Sequence, residues 1–139
     1  MEQCIFCKIA AGQIPSSTVY EDEYFKAIMD LSPATKGHTI IIPKKHMMDI
    51  TELEEEYASR ILTVAAKIGM AMKTGLGCTG FNVVQNNGES AGQTVMHYHM
   101  HVIPRYDGGE RIVTWPQTET TDKERDEIAQ KIKSQITFN

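Results

Sequence analysis

Apolar and polar positions along this chain follow two periods, and the change between them outlines the fold. From residue 18 the period is two. "TVYEDEYFKAIMD" (18–30) reads as the end of one strand, a turn at Glu21 to Glu23, and a second strand with Phe25, Ala27 and Met29 on one face, closed by Asp30. "SPATKGHTIIIPKKH" then gives a Pro/Gly loop and a β-branched run, Thr39 to Ile42, stopped by Pro43. A run apolar at every position predicts a central strand. Over residues 51–76 the period becomes helical, with Leu53, Tyr57, Ile61, Val64, Ala65, Ile68 and Met72 recurring three and four apart. Thr51 with Glu54 three places on predicts a capping box, and Gly75 or Gly77 the stop. "GFNVVQNN" (80–87) and "VMHYHMHVIPR" (95–105) predict two more strands, and residues 121–136 a largely polar last helix. The N-terminal "CIFC" reads as the start of an apolar strand. The outline is α+β: an antiparallel sheet covered by one long helix.

Bulk properties narrow the function classes. A chain of 139 residues, 41% of them hydrophobic, predicts one domain over residues 1–139, burying roughly two-thirds of its unfolded surface. The formal charge of −4 lacks the basic excess that coating a nucleic-acid polymer or an anionic membrane requires, but leaves room for a local phosphate pocket. No apolar run approaches the roughly 20 residues of a membrane span, and "MEQCIFCKIA" lacks a signal-peptide pattern, so a cytoplasmic location is expected. Three cysteines, two of them in a CxxC at Cys4 and Cys7, point to metal binding or redox chemistry before a structural disulfide. Cys78 reads as a small buried or half-buried thiol, with no role assigned.

Three of the five histidines stand in "HYHMHVIPR". Alternation on a strand puts Tyr98, Met100 and Val102 under the helix, and His97, His99 and His101 together on the other face, roughly 7 Å apart. Imidazole changes charge near neutral pH, a property a merely solvated polar face does not need. Two chemistries use such a row. With the CxxC it offers the nitrogen and thiolate ligands zinc favours. Alternatively, one neutral imidazole attacks phosphorus while its neighbours hold the group attacked. The loop "NNGESAGQT" favours the second for His99, because backbone N–H groups, the Asn86 and Gln93 amides and the Thr94 hydroxyl can converge there on an anion. Asp30, at the end of an apolar strand, is suited to a diol or to capping the turn that follows.

"GQTVMHYHMHVIPR" resembles the histidine-triad (HIT) signature. "CIFCKIAAGQIPSSTVYEDE", "IMDLSPATKGHTIIIPKKH" and "NVVQNNGESAGQTV" are similar to successive blocks of its HINT branch, in order and across nearly the whole chain. The resemblance implies the HIT fold, with about five antiparallel strands, one long helix, a C-terminal helix, and a two-fold homodimer joining the sheets. It implies a hydrolase for purine nucleoside phosphoramidates or related nucleotide conjugates, releasing AMP or GMP through a nucleotidyl-histidine on His99, with no organic cofactor. His101 is then expected to steady the phosphoryl oxygens with Asn86 and the backbone around Gly92 and Gln93. Thr94 stands where the branch usually carries a serine that contacts the leaving group.

The same resemblance places a purine among Phe6, Ile9, Ile14, Ile28 and Leu31, with Asp30 accepting from the ribose hydroxyls. From bacterial relatives it implies a structural zinc on Cys4, Cys7, His46 and His97. His38, in "KGHT", reads as structural. "TWPQ", at Trp115, looks like the branch's C-terminal Trp-Pro, which reaches the partner subunit's site, though five extra residues separate it from the triad here. Cleavage of dinucleoside polyphosphates as in the FHIT branch, nucleotide-binding regulation with vestigial catalysis, and a metal hydrolase are the alternatives.

Overall fold

Five antiparallel strands pair in the order β1-β2-β3-β5-β4, so the last strand in sequence inserts beside the central one. They are β1 (Thr18–Glu21), β2 (Phe25–Met29), β3 (Thr39–Pro43), β4 (Gly80–Val84) and β5 (Met100–Arg105). The computed structural model describes residues 3–138. Helix α1 (Ile5–Ala10) precedes the sheet, α2 (Glu55–Leu76) connects β3 to β4, and α3 (Asp122–Lys133) follows β5. The α+β expectation and the long helix hold. Every position of β3 is buried, as its unbroken apolar run requires of a central strand.

Alternation divides the apolar residues between two layers. On one face Phe25, Ala27, Ile41, Met100 and Val102 pack with Tyr57, Ile61, Val64, Ala65, Ile68 and Met72 of α2. Truncating a side chain there, such as Ile61, costs about 2–5 kcal/mol. On the other face Ile28, Ile40 and Ile42 pack with Phe6 and Ile9 of α1. This smaller layer is open at one side, and the candidate site lies there.

Several boundaries differ from expectation, each for a local reason. Residues Ile5–Ala10 form a helix rather than a strand start: the Cys4 sulfur accepts from the Cys7 N–H as an N-cap. Helix α2 begins at Glu55, not at 51. Asp49 takes both the backbone N–H and the hydroxyl of Thr51, so the expected capping box does not form. The fourth strand ends at Val84, short of residue 87. The fifth begins at Met100, not at 95, because the Tyr98 N–H donates to the Met47 carbonyl and draws the approach to β5 off the sheet. The C-terminal helix is close to expectation, capped by the Thr121 hydroxyl, and buries no residue. Trp115 is exposed.

Candidate functional site

A cavity of about 430 Å³ opens where the smaller layer ends, within the range of small-molecule sites. Ile5, Phe6 and Ile9 from α1 form one wall, and Ile28 and Ile40 the floor. Asp30 and the exposed Leu31 also line it, as do Asn86, Gly92 and Thr94 of the loop and the histidines His99 and His101. Apolar walls therefore meet convergent polar groups. A second cavity, of about 320 Å³ beside the C-terminal end of α2, has Lys36 as its sole ionisable lining group.

Each triad imidazole has one nitrogen tied to a group that decides its tautomer. A carbonyl only accepts, so a ring nitrogen bonded to one must carry the proton. Nδ1 of His99 lies 2.7 Å from the His97 carbonyl, so Nδ1–H donates and Nε2 keeps a free lone pair. Nε2 of His97 lies 2.8 Å from the Pro43 carbonyl, which protonates Nε2 and leaves Nδ1 as the lone-pair atom. For His101 the chain of logic is one step longer. The Ala34 N–H donates to Nδ1 of His38, so His38 carries its proton on Nε2, 2.8 Å from Nδ1 of His101. His101 must accept there, and its own proton sits on Nε2 as a free donor. Burial, reinforced by the His99 and His38 imidazoles, pushes His101 down to about 4, so this donor is neutral at pH 7.

The cavity thus holds a nucleophilic lone pair on His99 and an N–H donor on His101, on rings whose centroids are 5.2 Å apart. Such a pair can attack an electrophilic phosphorus and hold one of its oxygens. Asp30 keeps one carboxylate oxygen on the Ser32 N–H and the other 3.5 Å from Nε2 of His38. His38, expected to be structural, is the support of the donor. Its signal was present in the alternation, since His38 and Ile40 share a face and Ile40 pairs with His101, but only the strand order joins them.

His97 turns away from the cavity and is fully buried in a second cluster. Its Nδ1 lies 3.4 Å from the Cys4 sulfur, 3.5 Å from the Cys7 sulfur and 3.2 Å from Nδ1 of His46, which is 3.3 Å from the Cys7 sulfur. A tetrahedral zinc, with bonds of about 2.3 Å to sulfur and about 2.0 Å to nitrogen, sets edges of about 3.3 Å between nitrogens and about 3.5 Å between nitrogen and sulfur. The four residues fit such an ion. Burial and the neighbouring Cys4 push the Cys7 thiol up to about 11, an environment that a cation would reverse. Burial also pushes His97 down to about 4, keeping it in the neutral form a ligand needs.

The expected site residues therefore separate. Phe6, Ile9, Ile28, Asp30, Leu31, Asn86, Gly92, Thr94, His99 and His101 meet at the cavity, and Ile5, Met29, Ile40 and Val95 join them. Cys4, Cys7, His46 and His97 meet at the second cluster, whose ligand atoms lie within 4.8 Å of one another. Two residues are not brought in. Ile14 packs against the smaller apolar layer and is not among the residues lining the cavity. Gln93 is buried, with its amide nitrogen on the Met48 and Val95 carbonyls and its oxygen on the Gly88 N–H. Its backbone N–H goes to the Gly88 carbonyl. No donor of Gln93 remains for an anion, so it shapes the loop instead of lining the site.

The family model described as the HIT domain matches residues 11–108. A crystal structure of a member of the HIT family from Bacillus subtilis superposes with a TM-score of 0.89 at 41% identity, covering 99% of each chain. The adenosine 5'-monophosphoramidase of Saccharomyces cerevisiae is 40% identical over 118 residues, 84% of this chain and 72% of the yeast protein. A zinc-bound histidine triad family protein from Mycobacterium smegmatis has a TM-score of 0.75 at 34% identity, covering 96% of this chain and 99% of its own.

Proposed function

This chain belongs to the HIT domain family, and from that premise we propose that it hydrolyses purine nucleoside phosphoramidates or related nucleotide conjugates at the α-phosphorus. The observation that carries this reading is the pair of opposite tautomers in one cavity, a free lone pair on His99 and a free N–H on His101. Nε2 of His99 attacks the α-phosphorus, forming a P–N bond while the bond to the leaving amine breaks and the amine takes up a proton. Water then cleaves the nucleotidyl-histidine, releasing AMP or GMP and restoring the imidazole. Nε2–H of His101 holds a phosphoryl oxygen throughout, with Asn86 and the loop around Gly92 beside it. Thr94 stands on the leaving-group side. Phe6, Ile9, Ile28 and Leu31 enclose the base, and Asp30 accepts from the ribose diol. The activity named for the yeast relative supports the substrate class.

Zinc on Cys4, Cys7, His46 and His97 belongs to the same proposal, supported by the tetrahedral spacing and by the zinc-bound mycobacterial relative. Four protein ligands leave no open position, which favours a closed site over a metal hydrolase. A homodimer is also part of the reading. β4 is an edge strand with Val83 exposed, and Leu62 and Met70 stand exposed on α2. Paired edges and covered apolar side chains are what a second copy would supply.

Mass spectrometry after brief incubation with an adenosine phosphoramidate tests the reaction. The expected result is an AMP adduct on the peptide holding His99, and no turnover in His99→Ala. An adduct elsewhere, or turnover in that variant, refutes it.

A further inference from the structure

The metal cluster and the cavity are joined twice. His97 gives its Nδ1 to the cluster and its carbonyl to Nδ1–H of His99, at 2.7 Å. Phe6 lies on α1 between Cys4 and Cys7, and its ring is edge-on to both His97, at 5.9 Å between centroids, and His99, at 5.0 Å. The nucleophilic ring is therefore held on one side by a metal ligand's backbone and on another by a residue between two metal ligands.

Helix α1 depends on such anchoring. At six residues it is too short to persist on its own. Outside the cluster, Phe6 and Ile9 pack on the smaller layer, and the buried Lys26 ammonium donates to the Ile9 carbonyl at 3.2 Å. Yet Ile5, Phe6 and Ile9 make one wall of the cavity. His46, from the segment after β3, and His97, from the approach to β5, are the far side of the clamp.

We propose that Cys4, Cys7 and His46 are positioning residues for His99, acting through the metal they share with His97. A closed cluster locks α1 to the approach of β5, which sets the His97 carbonyl and the Phe6 edge, and these set the tautomer and the angle of the His99 ring. An open cluster leaves thiol–imidazole contacts, which are weak, and the carbonyl and the wall move independently. The site then tunes the reaction instead of only supporting the fold. This rests on reading His99 as the nucleophile. A displacement of about 1 Å at a reacting atom costs about a hundredfold in rate, so the coupling has leverage.

His46→Ala and His46→Cys test it, since His46 does not line the cavity and a third thiolate can replace its imidazole. Metal content, kcat and KM on an adenosine phosphoramidate, and the ¹⁵N shifts of the His99 ring, which report its tautomer without substrate, are measured together. In folded His46→Ala the metal is expected to be lost, kcat to fall about ten- to a hundredfold, KM to rise, and His99 to leave the pure Nδ1–H tautomer; His46→Cys restores all four. Metal loss with unchanged kcat and tautomer overturns the proposal. If His46→Ala does not fold, the wild-type protein is stripped with a chelator and titrated with zinc, and a His99 signal that ignores the zinc overturns it equally. A wild-type protein inactive on phosphoramidates would sink the proposed reaction, while the tautomer readout would still decide the coupling.

Discussion

Replacing His38 isolates the tautomer argument from the rest of the cavity. Its Nε2–H donates to Nδ1 of His101 at 2.8 Å, and His38 itself is buried, with 5% of its surface exposed. In His38→Leu the acceptor loses its donor, so the His101 proton is no longer confined to Nε2, where it can meet a phosphoryl oxygen. Losing one donor aimed at developing charge costs about 10²–10³ in kcat, and a misplaced tautomer in a hydrolytic triad about 10⁴. The expected fall in kcat is therefore about a hundredfold or more, with KM changed little, because the contact strengthens as charge builds. Stability should fall by about 1–3 kcal/mol, because the Ala34 N–H and Nδ1 of His101 are left unpaired. His38→Gln carries an amide N–H at a similar reach and should recover part of the rate. Initial rates of AMP release from an adenosine phosphoramidate, beside urea unfolding curves, give both quantities. A folded His38→Leu protein within threefold of wild-type kcat refutes the relay.

Two further outcomes follow from the packing and the titration. The unfolded chain protonates His101 near 6.5 and the folded one only near 4, so the unfolded state binds the extra proton between them, and stability falls as pH drops through that window and levels off below it. His101 contributes at most about 2 kcal/mol of loss between pH 6.5 and 5, discounted for its residual solvent contact; urea midpoints should fall less in His101→Asn, and equal slopes contradict the assignment. A Cβ at Gly69 would stand 2.3–2.5 Å from atoms of the Phe81 ring. Gly69→Ala should therefore cost about 1 kcal/mol, overpacking outweighing helix propensity, but gain about 1 kcal/mol in a Phe81→Ala background. The same sign in both backgrounds, read by denaturation, removes that account.

Long, strongly periodic segments were legible in the sequence. β2, β3 and α2 follow from residue spacing because their buried faces are continuous, and α3 because Thr121 caps a polar run. Helix α1 was not legible. Six residues hold too few turns to show a period, and a cysteine sulfur is not the oxygen a cap usually offers. The starts of α2 and β5 escaped for another reason. Thr51 was an adequate cap by type, but Asp49 competed for it; residues 95–99 were adequate strand by type, but Tyr98 and Gln93 bond to Met47 and Met48 across the fold. Asp49 is a local competitor that residue type alone does not rank against Thr51, whereas the distant Met47 and Met48 carbonyls leave no trace in local spacing.

The triad shows the same limit at the level of chemistry. Alternation correctly put Tyr98, Met100 and Val102 in the core under α2, and so put the histidines opposite them. It also implied one shared face, and that is where local reasoning ends. Only His101 lies within β5, while Phe6 stands against both His97 and His99. What separates the three is which partner each ring meets: the accepting Pro43 carbonyl for His97, the accepting His97 carbonyl for His99, and the donating Nε2–H of His38 for Nδ1 of His101. Two of these partners come from other strands or loops, so an identical HxHxH on another scaffold would carry different protons on different nitrogens. The proposed nucleophile, donor and ligand are thus one residue type, with the proton on Nδ1 in His99 and on Nε2 in His97 and His101. The variants that test the division should be the partners, His38 and His46, because replacing a triad histidine removes the group along with its setting.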